Sequence, residues 1–290
     1  MIMELKNRVS VLFLCNHFGV SKAGLYSWLK RIEFKSLSVI KKEKVCDQIK
    51  EIFKKSYHTY GSPRVYEELK SLGFDVSVNT VAKYMRELEL DARLKKKFRV
   101  ATTDSNHKSP IAPRLFKTEE EDCLPTEPGV VLAGDITYLR LGKSSFVYLA
   151  VVIDLYNREV LGWSMSRSLE TKLILDALDM AMKKVGPDAK TIFHSDRGSQ
   201  YASDAYRNFL KNKQIKPSMS RRGNCYDNCF VESWFKSLKN DFIYRRFYQT
   251  EEELRALVFE YIEVFYNKKR RHSALDYLSP VDYKIKQTEA

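Results

Sequence analysis

Cysteine is scarce in this chain of 290 residues, and what there is forms no reactive pattern. The five residues (Cys15, Cys46, Cys123, Cys225 and Cys229) make no CxxC pair and no Cys/His zinc spacing. That argues against a disulfide framework and a zinc module alike. Cys225 and Cys229, one helical turn apart, read as buried reduced thiols of a cytoplasmic protein. Long apolar runs are missing too. Nothing approaches the roughly 18 residues that a bilayer span needs, so no membrane association is expected. The N-terminus lacks an apolar stretch with a small-residue cleavage site, which argues against export. Negative charge is thin in the first third: residues 1–100 hold 21 Lys and Arg against 11 Asp and Glu, whereas residues 101–290 are nearly balanced at 29 against 26. The net charge of +13 is therefore concentrated in one region, as expected if that region meets a polyanion. A solvated basic surface would have the same composition.

What is present is ample apolar material, 44% hydrophobic and 12% aromatic, on a chain long enough for two domains. Three short blocks in the second half each set a carboxylate in a distinct local context. Asp135 lies in Gly134-Asp135-Ile136-Thr137-Tyr138-Leu139, whose β-branched and aromatic residues predict a strand. Asp196 follows the apolar Thr191-Ile192-Phe193 and precedes Gly198, which predicts a strand end entering a turn. Glu232 sits among Phe230, Trp234, Phe235 and Leu238 at helical spacing. Lys236 and Lys239 follow it by one and two turns on the same face. Hard divalent cations take oxygen ligands, and two of them about 4 Å apart can activate the attacking oxygen and stabilise the leaving one in phosphodiester chemistry. Three convergent carboxylates with a neighbouring lysine would suit that task. Any one of them alone reads as a surface or turn residue; the set carries the signal.

Taken in order, residues 1–35 predict a helix ending near Gly19 and a second, capped by Ser21, with Leu25, Trp28 and Leu29 inward: a helix-turn-helix pattern. Residues 36–99 predict a second such unit. It holds a helix over Lys41–Lys55, another capped by Ser62 with Pro63 in its first turn, and a candidate groove helix from Ser77 that exposes Asn79, Lys83 and Arg86. Lys95, Lys96 and Lys97 form a basic run suited to phosphates rather than bases. Residues 100–130, with four prolines and an acidic patch, predict a linker or extended strap. From 131 the periodicity turns to strands over Asp135–Leu141, Ser145–Asp154 and Glu159–Met165. A helix over Leu169–Val185 follows, then a strand over Thr191–Ser195, a helix over Ser203–Lys213 and a short strand from Lys216. Periodicity alone implies only an α/β fold here. Asp154 reads as a locally paired turn residue. His194 and Ser195 point to opposite strand faces and cannot share a hydrolytic triad with Asp196. Asn228, one turn before Glu232, is placed to orient it or to touch DNA, and Arg221 and Arg222 supply a basic loop nearby. Glu251–Tyr266 predicts an amphipathic helix ahead of a basic tail; residues 131–245 and 246–290 would be the catalytic core and the C-terminal segment.

The blocks DITYL around Asp135, HSDRGSQY around Asp196 and SMSRRGNCYDNCFVESWFKSLK around Glu232 resemble the DDE integrase/transposase core. More narrowly, they resemble the second-frame transposases of the insertion-sequence family named after insertion sequence three. The 35 residues between Asp196 and Glu232 match that family's spacing, and Lys239 matches its basic position. The family's tryptophan three residues before the first aspartate is replaced by Leu132. Its Tyr-Asn…Arg…His block is matched by Tyr266, Asn267, Arg271 and His272, read as a DNA-backbone edge or a packing motif. The resemblance implies a ribonuclease H-like catalytic core behind an all-α helix-turn-helix region. It further implies that Asp135, Asp196 and Glu232 bind two Mg²⁺ (Mn²⁺ as substitute) for 3′-end nicking and strand transfer, through a circular intermediate, on double-stranded DNA. A homo-oligomer on DNA and an upstream-frame helix-turn-helix partner or fusion are implied as well, in a cytoplasmic, nucleoid-associated protein. Two other readings stay open: a DNA-binding regulator derived from a transposase, and a ribonuclease H-type nuclease without strand transfer.

Overall fold

The computed structural model describes residues 10–33, 36–92, 112–115, 125–142, 145–186, 190–221 and 228–289. The expectations for Lys95, Lys96, Lys97, Arg222, Cys123 and Cys225 fall outside that set. The chain divides into two units, Met1–Asp91 and Ala92–Ala290.

The first unit is helical. Helices α1 (Val11–His17) and α2 (Lys22–Glu33) form the predicted pair, with Ser10 and Ser21 accepting from the amides of Phe13 and Gly24. Leu14, Cys15 and Leu25 are buried. Trp28 is not inward as expected but half exposed, because two short helices have too little surface to cover an indole. Helices α3 (Leu37–Lys55), α4 (Ser62–Ser71) and α5 (Val78–Glu87) enclose Val45, Ile49, Ile52, Phe53, Val65, Leu69, Val81 and Met85. Gly61, rather than Ser62, occupies the cap of α4, with Pro63 in the first turn. Ser77 caps α5 as predicted, and Lys42 on α3 pairs with Glu87 at 2.6 Å.

The second unit is built on a five-stranded sheet of order β3-β2-β1-β4-β5: β1 (Val131–Leu141), β2 (Ser145–Asp154), β3 (Val160–Ser166), β4 (Ile192–Ser195) and β5 (Lys216–Met219). The first three strands are antiparallel; β4 joins β1, and β5 joins β4, in parallel. This is the ribonuclease H-like arrangement. Leu132 on β1, together with Ala150, Val152 and Phe193, packs against α6 (Thr171–Val185) and α7 (Asp204–Asn212) in one apolar cluster that Ile136 borders. Strand alternation then turns Asp135 and Thr137 to the opposite face. Helix α6 approaches β3 so closely that a Cβ on Gly162 would lie 2.0 Å from the carbonyl of Ala177. Part of the strap is visible: the amides of Ala112 and Leu115 reach Met219 and Ser218 on β5.

Helix α8 (Cys229–Asp241) packs beside β1, followed by a 3₁₀ turn (Ile243–Arg245) and α9 (Glu251–Phe259). The predicted single helix over Glu251–Tyr266 changes pitch: Glu260–Tyr266 is a π-helical segment. The wider turn lets Tyr261, Ile262, Phe265 and Tyr266 all face inward. Asn267 then clamps β3, accepting from the amide of Val160 at 2.9 Å and donating to its carbonyl at 3.0 Å. Arg270 pairs with Asp241 at 2.9 Å with both side chains buried. Tyr266 and Asn267 therefore serve packing. A last helix, α10, spans Pro280–Thr288. Among the described residues no helix is long and apolar enough to cross a membrane.

Candidate active site

Strand β4 pairs with β1 only through Val131, Leu132 and Ala133. Asp135 stands just past the last paired residue, where the edge of β1 toward β4 is open. Its neighbour has to be glycine, since a Cβ on Gly134 would lie 2.3 Å from the ring of Phe193 and 3.1 Å from the carbonyl of Val151. Asp196 follows the last residue of β4. Its Oδ1 accepts from the amide of Gly198 at 2.9 Å, which fixes the carboxylate as the chain leaves the sheet. Oδ1 of Asp135 accepts from the amide of Ile136 at 2.7 Å. Glu232 lies in the first turn of α8, on its exposed side.

The three acids feel one another. Burial pushes the Asp135 carboxyl well above the usual carboxylate range. The negative charges of Asp196 and Glu232 push the same way, against the Ile136 amide and Lys239. Glu232 is also raised, by the partial desolvation of its carboxyl although the residue lies on the exposed side of the helix, and then by Asp196. The acids share one field without forming a closed ligand set, and among the described residues no three His, Cys, Asp or Glu side chains are grouped as a ready metal site. Mutual repulsion among hard oxygen donors is nonetheless the environment that a bound dication relieves, so the residues present fit such an ion by their chemistry.

Lys239 lies within the same field. Its ammonium donates to Thr137 Oγ1 at 2.7 Å and stands 5.1 Å over the ring of Tyr138. Burial lowers its pKa and Asp135 opposes the shift. Lys236, one turn earlier, is exposed, as is Arg221. Asn228 caps α8 by position but makes no capping bond; it is buried, and its Oδ1 has no hydrogen-bond partner among the described residues. Arg271 donates to the carbonyl of Tyr277 at 3.1 Å. In the first unit Asn79, Lys83 and Arg86 are exposed on α5, with Lys83 4.0 Å from Glu87.

Asp154 is structural: its two oxygens take the amides of Gly129 and Tyr156 at 2.8 and 2.9 Å. Arg158 donates its amide to the Asp154 carbonyl, and its guanidinium lies over the ring of Phe230 at 3.8 Å. His194 is a core residue sharing a 2.9 Å bond with Ser218. Three neighbours of the acids escaped the sequence reading. Thr137 could have been found from period-2 spacing with Asp135, and Tyr138 from its place beside it. Tyr201 is fully enclosed, and its hydroxyl has no hydrogen-bond partner among the described residues. Burial raises its pKa, with the charges of Asp135 and Asp196 adding to the effect. Its only signal was the last letter of HSDRGSQY.

The chain is similar to known proteins over most of its length. An integrase core domain family matches residues 125–225, a second integrase core domain family matches 232–287, and an HTH-like domain family matches 41–98. The chain is 38% identical over 277 residues to transposase InsF for insertion sequence IS3A of Escherichia coli strain K12, covering 96% of this chain and 94% of the relative. It is 37% identical over 273 residues to an insertion element IS600 31 kDa protein of Shigella sonnei, covering 94% of this chain and 98% of the relative. Among solved structures, the simian T-cell lymphotropic virus intasome in complex with PP2A regulatory subunit B56 gamma aligns with a TM-score of 0.47 at 14% identity, covering 78% of this chain and 70% of that one. The HTLV-2 integrase catalytic core domain in complex with magnesium aligns with a TM-score of 0.42 at 15% identity, covering 54% and 97%.

Proposed function

The chain belongs to the family of insertion-sequence transposases that includes InsF of IS3, and from that membership we propose that it nicks DNA at the end of its element and joins the freed 3′ end to a second phosphodiester. One observation carries the reading. Acids on β1, just past the end of β4 and on α8, 97 residues apart from first to last along the chain, lie within electrostatic reach of one another beside a half-buried lysine. Asp135, Asp196 and Glu232 would hold two Mg²⁺, or Mn²⁺ in their place. When bound, such ions supply Lewis-acid activation of the attacking oxygen and stabilisation of the leaving one.

The protein's own part is orientation. The amides of Ile136 and Gly198 hold two of the carboxylates, and a rigid sheet carries both, so little reorganisation is left for the reaction. Thr137 holds the Lys239 ammonium in place, where it would meet a phosphate oxygen of bound DNA. No serine or tyrosine nucleophile is required: water attacks in the first step and the new 3′ hydroxyl in the second. Double-stranded DNA is the substrate, with α5 reading it through Asn79, Lys83 and Arg86, and Lys236 and Arg221 contacting phosphates. Two ends must meet for joining, so an oligomer on DNA is part of the reading, with an upstream-frame protein as a further partner.

The test is Asp196→Asn. Cleavage and joining with Mg²⁺ should fall by several orders of magnitude while the protein stays folded and still binds DNA. Near wild-type strand transfer by that variant would overturn the assignment.

A further inference from the structure

Beside Lys239 the surface carries aromatic rings that the fold covers only in part. Tyr138 on β1 and Phe146 on β2 meet edge to face with centroids 5.3 Å apart, and Phe146 remains 43% exposed. Tyr244, on the 3₁₀ turn after α8, is also 43% exposed, and its phenol lies within electrostatic reach of Tyr138. The Lys239 ammonium is 5.1 Å over the Tyr138 ring and 2.7 Å from Thr137, two residues along the same strand face from Asp135. Arg140, the next outward residue on the Tyr138 side of β1, is exposed.

From this we propose that Tyr138, Phe146 and Tyr244 form a stacking platform for an unpaired base at the DNA end being processed, with its phosphate on Lys239. The inference rests on the transposase reading of the neighbouring carboxylates and deepens it. Exposed ring faces offer apolar area and a π surface that any nucleobase can match, whatever its sequence. A base inside a duplex keeps its faces covered by its neighbours, so only a splayed nucleotide can use them. Charge complementarity selects the same occupant: a lysine and an exposed arginine flank the rings, which suits a phosphodiester chain better than an apolar protein partner. The platform would hold the frayed terminal nucleotide and so keep the scissile phosphate accessible to the acids.

The probes are a blunt duplex made from the inverted repeat flanking the gene and the same duplex with a short 3′ overhang containing 2-aminopurine. The wild-type protein should bind the overhang duplex about tenfold more tightly than the blunt one and quench the 2-aminopurine emission. Phe146→Ala and Tyr244→Ala should each bring the preference close to one and restore emission, with blunt-duplex affinity and melting temperature unchanged; Phe146→Tyr should behave as wild type. An unchanged preference and unchanged quenching in both alanine variants would overturn the platform. So would an equal loss of blunt-duplex binding, which would mark the rings as part of the fold or of a general duplex grip. Mg²⁺-dependent cleavage by the wild type is measured in the same samples: its absence overturns the transposase reading and this inference with it, whereas cleavage without overhang preference overturns the platform alone.

Discussion

The two units handle charge in opposite ways. In the helical unit the cations on α5 stand in solvent, and the ion pairs Lys42–Glu87 and Lys83–Glu87 lie on the surface. In the integrase-like unit many of the charges that matter are inside. Asp135, Lys239, Asp154 and the Asp241–Arg270 pair are each partly or wholly removed from water and each tied to a named partner. Exposed charges act at a distance and are screened by salt. Buried ones act through position, and their energetics depend on a few ångströms of backbone. One unit is thus suited to attract a polyanion and the other to do chemistry on it.

Replacing the acids should break the contrast most strongly. Asp135→Asn and Glu232→Gln, like Asp196→Asn, are expected to lower Mg²⁺-dependent cleavage by several orders of magnitude in a gel assay, with DNA affinity nearly intact. Next in size is the buried pair. Asp241→Ala leaves the Arg270 guanidinium uncompensated and should cost about 3–5 kcal/mol, read from denaturant midpoints. Gly134→Ala drives a methyl into Phe193 and Val151. It should cost about 1–3 kcal/mol and also depress cleavage, because the displaced strand carries Asp135.

A smaller effect concerns pH. The Asp135 carboxyl is raised in the fold, so its contribution is most favourable when protonated, below its unfolded pKa, and is lost as pH rises through the folded value. In EDTA at neutral pH, Asp135→Asn should therefore melt a few degrees above wild type, and the gap should close as pH falls below about 4. A variant that melts lower at neutral pH would contradict the repulsive field. The smallest effect belongs to the helical unit. Lys83→Ala and Arg86→Ala should each reduce the slope of log affinity against log salt by about 1, while cleavage at saturating protein is retained.

Much of the architecture was legible along the chain. Ser21 and Ser77 mark helix starts because their side-chain oxygens satisfy amides that the helix leaves open. The apolar run in Ser145–Asp154 gives that strand its observed limits. Other features were not legible. Trp28 has the spacing of a buried residue, but burial depends on a partner surface that spacing does not report. The π-helical turn at Glu260–Tyr266 arises because Tyr261, Tyr266 and Asn267 are all drawn inward, a demand made by the rest of the fold rather than by the segment. Of the site, the three acids were visible through their motifs. The role of Tyr201 and the buried state of Asn228 were not, since an ordinary polar residue gains meaning only from what surrounds it.

The amino-acid sequence on its own determined the order of strands and helices and the chemical identity of the acidic donors, because alternation, capping and motif spacing are properties of neighbours along the chain. Only the tertiary structure decided that Asp135, Asp196 and Glu232 share one field, that Lys239 is held by Thr137, and that Asn267 and Arg270 brace the core. Each of these depends on distances between segments far apart in the chain, which packing sets and local sequence does not encode.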